Sequence, residues 1–279
     1  MKELRDRNAI LTGASRGLGV HLARALAREG VNLALAARSA DALDEVRKEA
    51  VSLGVNAVSI PTDLAETEQV KALAEEAERR LGAVDILVNN AGVQLTSPFE
   101  DYRPERMELA VKVNLLAPML LTRAVLPGML ARGRGQVVNM SSLAGKIGLP
   151  FSVAYSATKA GLVMFTHSLR VELADTPVGV SVVCPGFVAE DGMYARNAAR
   201  AGSASGLLKP TTPKKVTRAV IRAIRRDVAE QIVNPIPPRP LSVLRQIFPG
   251  STPLLHRILG TTRFARNLAE AEADRDHED

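Results

Sequence analysis

Seven short apolar runs, separated by longer stretches of helical periodicity, constrain this chain more than any other feature. NAILTG (8–13), NLALAAR (32–38), AVSIP (57–61), DILVNN (85–90), QVVNMSS (136–142), VSVVCPG (180–186) and QIVNP (231–235) read as strands. Apolar residues stand at consecutive rather than alternating positions in them, as expected of strands covered on both faces. Between them lie amphipathic stretches: one up to Gly30, one from near Ala40, one over 66–81, a long helical region broken near Pro118 and Pro127, one carrying YSATK (155–159), and one over 214–224. This alternation predicts an α/β fold, a doubly wound parallel sheet in a three-layer αβα sandwich.

In such a sheet, ligands bind at the carboxyl ends of the strands. The unusual residues fall there: TGASRGLG (12–19) after the first run, Asp63 after the third, NNAG (89–92) after the fourth, Ser141 and Ser142 after the fifth, Pro185 and Gly186 after the sixth. Gly13, Gly17 and Gly19 at a strand-to-helix turn either make a plain tight turn or let a pyrophosphate approach the helix N-terminus, where free N–H groups and the dipole favour an anion. Ser15, Arg16 and Leu18 lie within the same turn. The second run ends in Ala37 and Arg38, where an acid would suit the ribose diol of NAD and an arginine suits a 2′-phosphate. Arg16 and Arg38 therefore favour NADP, the alternative for Arg38 being an exposed charge at a strand end. Tyr155 and Lys159, four residues apart, leave one helix face together. Inside a cleft an ammonium there lowers the phenol pKa.

TGxxxGxG at 12–19, NNAG at 89–92, a serine thirteen positions before YxxxK, and PG at 185–186 resemble the classical short-chain dehydrogenase/reductase family over roughly residues 8–235. The resemblance implies a Rossmann-type fold and a reaction that interconverts a ketone or aldehyde and an alcohol. It makes Tyr155 the general acid or base, Lys159 the group that holds the nicotinamide ribose and depresses the Tyr155 pKa, Ser142 the donor to the substrate oxygen, and Asn114 the holder of a water leading from Lys159 to solvent. It places Asp63 and Leu64 near the adenine, Asn89, Ala91 and Gly92 along the adenosine, and Pro185, Gly186 and Val188 beside the nicotinamide. One position departs from the family: Glu190 stands where a threonine is usual. An NADP-binding sensor or scaffold with little turnover is the alternative that this residue keeps open. Pairing through the long helices, as a homodimer or homotetramer, is also implied.

Composition excludes several other classes. Trp is absent and aromatics make up 3% of the chain, so no stacking platform for nucleic-acid bases is expected. Cys184 is the only cysteine, which rules out an internal disulfide or a thiolate metal cluster, and its apolar strand makes it a buried small hydrophobe. His21 and His167 lack metal-ligand spacing. No secretory signal and no stretch of transmembrane length is apparent, so the cytoplasm is the expected location. The net charge of +6 is uneven: nine Arg or Lys and no acid lie between Tyr194 and Arg226, and five Arg and no acid between Arg239 and Arg266. The chain reads as one domain over 1–279, with a core over 8–235, a mobile lid over 187–212 and a C-terminal extension over 236–279. Met193, Leu207 and Leu208 in the lid favour an apolar, lipid-, steroid- or acyl-like substrate. In the extension, Leu241, Leu244, Phe248, Leu254, Leu255, Ile258 and Leu259 follow a helical period. Packing across the cleft or a subunit interface is the preferred role, with a peripheral membrane contact or a partner as alternatives, and the acidic end reads as a frayed tail.

Overall fold

The computed structural model describes residues 1–189, 209–235, 247–258 and 260–276. Seven parallel strands form one sheet in the order β3-β2-β1-β4-β5-β6-β7. They are β1 (Asn8–Thr12), β2 (Asn32–Ala37), β3 (Ala57–Pro61), β4 (Ile86–Asn89), β5 (Gly135–Met140), β6 (Val178–Pro185) and β7 (Glu230–Val233). The strand order reverses between β1 and β4, whose Ala9 and Leu11 stand opposite Ile86 and Val88. At that point the loops leaving the two strands diverge and open a crevice.

Helices cover both faces, which is why the strands read as unbroken apolar runs. Leu11, Leu33 and Leu35 face a core shared with α1 (Leu18–Arg28), α2 (Ala40–Ser52) and α8 (Pro213–Arg226). Their neighbours Ile10, Ala34 and Ala36 face the opposite core with α3 (Thr67–Leu81) and α5 (Ala117–Ala131). Leu22 and Leu26 of α1 are fully buried, each stabilising the fold by about 1.5–3 kcal/mol. Asp227, at φ 49°, ends α8 and receives both guanidinium nitrogens of Arg170, at 2.7 and 2.8 Å. Arg170 belongs to α7 (Val153–Glu172), so this fork ties the two helix layers together around the edge of β6.

The long region after β4 departs from expectation. It is one continuous run, α4 (Pro104–Val111), a π turn (Lys112–Leu116) and α5, with no break at either proline. In the π turn the Ala117 N–H reaches back to the Lys112 carbonyl. Pro118, which has no N–H to give, is thereby absorbed at the start of α5. Pro127 lies on the exposed side of α5, where water can serve the carbonyl it leaves free. The unbroken run of 28 residues has a mean hydropathy of 1.6 in its most apolar 18-residue window. It is long and apolar enough to cross a membrane, contrary to the sequence-based expectation, because dividing it at the prolines hides its length. Here it packs on the sheet through Leu121, Val125 and Met129.

The short α6 (Ala144–Ile147) leads from β5 into α7. The C-terminal extension contributes α9 (Thr252–Ile258) and α10 (Thr261–Asp276), so most of the expected frayed tail is helical. Burial of Phe264, Ala265, Leu268 and Ala269 on one side of α10 supplies the reason. Leu241 and Leu244 lie outside the described residues, as do the side chains of Leu255, Ile258 and Leu259. Most of the expected lid, including Glu190, Met193, Leu207 and Leu208, is also outside them.

Candidate active site

The carboxyl ends of β1 and β4 are knitted by two residues the motif reading passed over. The Thr12 hydroxyl accepts the backbone N–H groups of Asn90 (3.0 Å) and Ala91 (3.1 Å). The Asn90 amide donates to the Thr12 carbonyl (2.9 Å) and to that of Gly13 (3.2 Å). This brings Gly13 against Ala91 so closely that a Cβ on Gly13, already at φ +65°, would stand 2.7 Å from the Ala91 Cα. A Cβ on Gly19 would stand 1.9 Å from the Gly13 carbonyl oxygen. Gly17, at φ 56°, opens α1 without a side-chain cap, and no acid stands in its first turn. The N–H groups of that turn are thus available to an anion, and Ser15 and Leu18 flank them, both partly buried.

Arg16 and Arg38 are exposed at this end of the sheet, Arg38 directly after β2. Among the described residues no carboxylate engages either of them. Asp63 follows β3, its carboxylate accepting the Ala65 N–H (3.0 Å) and its own N–H held by Gln69 (2.8 Å), and Leu64 beside it is buried. Asn89 is not part of this surface. It is 2% exposed, and its amide points into the sheet interior, donating to Asn139 at 2.8 Å. Asn89 belongs to β4 itself, whereas the crevice is lined by the residues that follow, Asn90, Ala91 and Gly92.

The second group lies at the ends of β5 and β6. The Ser142 hydroxyl lies close enough to the Tyr155 phenol to influence its proton equilibrium, and it accepts the Ala144 N–H at 3.2 Å. The Lys159 ammonium stands 5.8 Å from the centre of the Tyr155 ring and donates to the Met140 carbonyl at 2.8 Å. Ser141 turns away, as expected of its neighbour's opposite, and its hydroxyl donates to the Lys159 carbonyl at 2.8 Å. The backbone of α7 at Lys159 is therefore fixed by Ser141, with Gly145 packed so close that a Cβ there would lie 2.6 Å from the Lys159 carbonyl carbon. Asn114 is fully buried in the π turn, its amide clamping the Val93 N–H (2.8 Å) and carbonyl (2.9 Å) and reaching Thr158 (3.2 Å). A π turn at a buried polar side chain is a recurrent feature of functional sites. A Cβ on Gly92 would stand 3.3 Å from Asn114 Oδ1 and 3.4 Å from Lys159 Nζ, so Gly92 preserves the space into which both groups face.

Burial governs the proton equilibria here. It pushes the Tyr155 phenol above its ordinary range, only partly offset by the Ser142 hydroxyl. It brings Lys159 down to about 8. Burial thus opposes the lowering expected from the ammonium, which stands 5.8 Å from the ring centre. Cys184 beneath them is a buried free thiol pushed up to about 12, chiefly by burial, so it is inert as a nucleophile. His167 pairs with Glu230 at 3.1 Å, away from the tyrosine, and no metal-binding cluster exists among the described residues.

Pro185 ends β6 and Gly186 follows it, where a Cβ would stand 2.3 Å from the Asn234 side-chain oxygen. Val188 bridges to Thr211, and Phe187 between them meets Phe264 of α10 edge-on, ring centres 5.3 Å apart. Arg266, two residues on, lies 5.9 Å over the ring of Phe151 in the loop before α7. The carbonyl of Phe151 is held by the Ser97 N–H (2.8 Å) and the Tyr102 hydroxyl (3.0 Å). Helix α10 thus contacts the loops on both sides of the tyrosine, a contact the sequence placed only as packing across the cleft.

Residues 7–201 match the family model described as short chain dehydrogenase. The chain is 40% identical over 275 residues to the ketoacyl reductase HetN of Nostoc sp. (strain PCC 7120), covering 97% of this chain and 95% of that protein. It is 39% identical over 182 residues to a putative ketoacyl reductase of Streptomyces coelicolor, 64% of this chain and 70% of that one. Among solved structures, a metagenomic short-chain oxidoreductase in complex with NADP superposes with a TM-score of 0.72 at 34% identity, over 85% of this chain and all of that one.

Proposed function

The chain belongs to the short-chain dehydrogenase/reductase family, and from that premise we propose that it reduces the ketone of an acyl chain to a secondary alcohol, with Tyr155 delivering the proton. It is an NADP(H)-dependent oxidoreductase. The observation that carries the proposed roles is the convergence of Ser142, Tyr155 and Lys159 at the carboxyl edge of the sheet, with Lys159 buried and its ammonium 5.8 Å from the centre of the Tyr155 ring.

NADPH, when bound, supplies the hydride. The residues present fit it: Gly13, Gly17 and Gly19 leave the pyrophosphate access to the free N–H groups of α1, and Ser15 and Leu18 border that turn. Arg16 and Arg38 take the 2′-phosphate, Asp63 and Leu64 border the adenine, Ala91 and Gly92 flank the adenosine, and Lys159 holds the nicotinamide ribose. Pro185, Gly186 and Val188 form the wall behind the nicotinamide. Ser142 and Tyr155 donate to the substrate oxygen, where negative charge develops as the carbonyl is reduced. Burial helps hold Tyr155 in its protonated form, the form a general acid needs. The space at Gly92, faced by Asn114 and Lys159, is the route by which the proton is replenished from solvent.

Acyl chemistry is supported by the two ketoacyl reductases to which the chain is similar and by the apolar pair Phe187 and Phe264 beside the end of β6. We read the described elements as one catalytic unit, assembling as a homodimer or homotetramer through the exposed Leu116, Met119 and Met164 on α5, its preceding turn and α7; light scattering counts the protomers. The sensor alternative rests on Glu190, which lies outside the described residues.

The purified protein is expected to oxidise NADPH fastest with ketoacyl thioesters, in a panel with steroidal, aromatic and short aliphatic carbonyls. NADH is expected to be the poorer donor by about 10- to 100-fold, the worth of charge-assisted hydrogen bonds to one phosphate. A preference for steroids would overturn the acyl reading, and equal rates with NADH would remove the roles of Arg16 and Arg38. In the same assay, reduction is expected to fall as pH rises through about 8, where Lys159 loses its proton. Because its folded pKa lies below the ordinary 10.5, the unfolded chain binds the extra proton between these values, so this group makes stability rise with pH across that window. A flat rate from pH 7 to 9 would show that Lys159 stays charged in the working enzyme.

A further inference from the structure

Three large apolar side chains stand in water within eight residues of the C-terminal extension: Ile247 is 64% exposed, Phe248 59% and Leu254 59%. They surround a short 3-10 turn, Pro249–Ser251, ahead of α9. This tip is firmly built. The Ser251 and Thr252 hydroxyls donate to the carbonyls of Phe248 (2.7 Å) and Pro249 (2.8 Å). The Thr261 hydroxyl donates to the His256 carbonyl (3.0 Å) and meets its ring nitrogen at 2.6 Å, locking α9 onto α10. Helix α10 is in turn seated on Phe187 and Phe151, at the loops bordering the catalytic tyrosine. The apolar tip and the mouth of the cleft are therefore linked through α10.

We propose that this tip docks the enzyme on an anionic lipid bilayer, with Ile247, Phe248 and Leu254 entering the boundary between headgroups and acyl chains. Arg257, three residues after Leu254, is exposed, as is Arg263 on α10. In sequence, the stretch from Arg239 to Arg266 holds five arginines and no acid, a charge that complements anionic headgroups. A second protein is the poorer occupant, since three side chains fall far short of the roughly 1,600 Å² buried in a stable protein interface. Pro249, Gly250 and Pro253 prevent a long in-plane helix and leave a shallow anchor of separate side chains, giving reversible attachment. Docking stands whether or not the substrate is an acyl chain; if it is, the cleft receives it at the surface where such chains reside.

The test is sedimentation of the full chain with vesicles of phosphatidylcholine alone or mixed with phosphatidylglycerol. Binding is expected with the mixed vesicles, weaker on neutral ones, and reduced as ionic strength rises. The double variant Phe248→Ser/Leu254→Ser is expected to bind at least ~10-fold more weakly, through loss of two apolar groups. Its NADPH oxidation with a short soluble ketone should be unchanged, which shows that it is folded. Failure of the unmodified chain to sediment with either vesicle overturns the proposal, as does a double variant that sediments equally well. It is also overturned if light scattering shows that the double substitution dissociates an oligomer, for the patch then belongs to a second copy.

Discussion

Tyr155→Phe is expected to lower turnover by about 10²- to 10⁴-fold, the usual contribution of a positioned general acid, while NADPH affinity stays within about twofold. The phenyl ring that fills the space beneath Lys159 is retained, and the Lys159 bond to the Met140 carbonyl does not involve the hydroxyl. Ser142 loses a polar neighbour but is only half-buried and keeps its bond from the Ala144 N–H, so stability should change by no more than about 1 kcal/mol. The variant thus separates chemistry from binding. Steady-state kcat and a fluorescence titration with NADPH check it, and a loss of turnover smaller than tenfold would mean that another group supplies the proton.

Gly19→Ala is expected to weaken NADPH binding by at least ~100-fold and to destabilise the fold by about 3 kcal/mol, the upper range for overpacking. The added methyl would lie 1.9 Å from the Gly13 carbonyl oxygen, and main chain cannot rotate away as a side chain can. Either α1 lifts from the end of β1 or the Gly13 peptide turns, and Gly13 is fixed in its place by Asn90 and Ala91. Both routes dismantle the turn that would cradle the pyrophosphate. Thermal unfolding with and without NADPH, together with a binding titration, measures the two effects, and an unchanged Kd would show that the turn yields without cost to the site.

The strands and the clustering of unusual residues at one sheet edge were legible because the inner strands β1, β2, β4, β5 and β6 are buried on both faces. AVSIP is β3 residue for residue. What escaped the reading depends on three-dimensional neighbours. Asn89 and Asn90 are adjacent asparagines of identical propensity; only the end of β4 decides that the first enters the core and the second faces the crevice. Pro118 and Pro127 read as breaks because the π turn that absorbs one, and the solvent that serves the other, are not encoded locally. For the proton equilibrium of Tyr155, spacing reveals the partner at Lys159 but not the depth at which both lie, and burial acts on both groups. Thr12 and Ser141 stood in the stretches the sequence singled out but without a role, Gly145 stood outside them, and what each does rests on contacts spanning up to 79 residues.

The position of β1 in the middle of the sheet also governs how the protein can be made. During synthesis β1, β2 and β3 can assemble as soon as residue 61 has emerged, but the other edge of β1 stays unpaired until Ile86–Asn89 arrives. At ordinary translation rates that interval lasts on the order of seconds. Throughout it, an apolar strand edge is open to pairing with another nascent chain. The strand that later presents the glycine turn is therefore one that benefits from chaperone protection at birth.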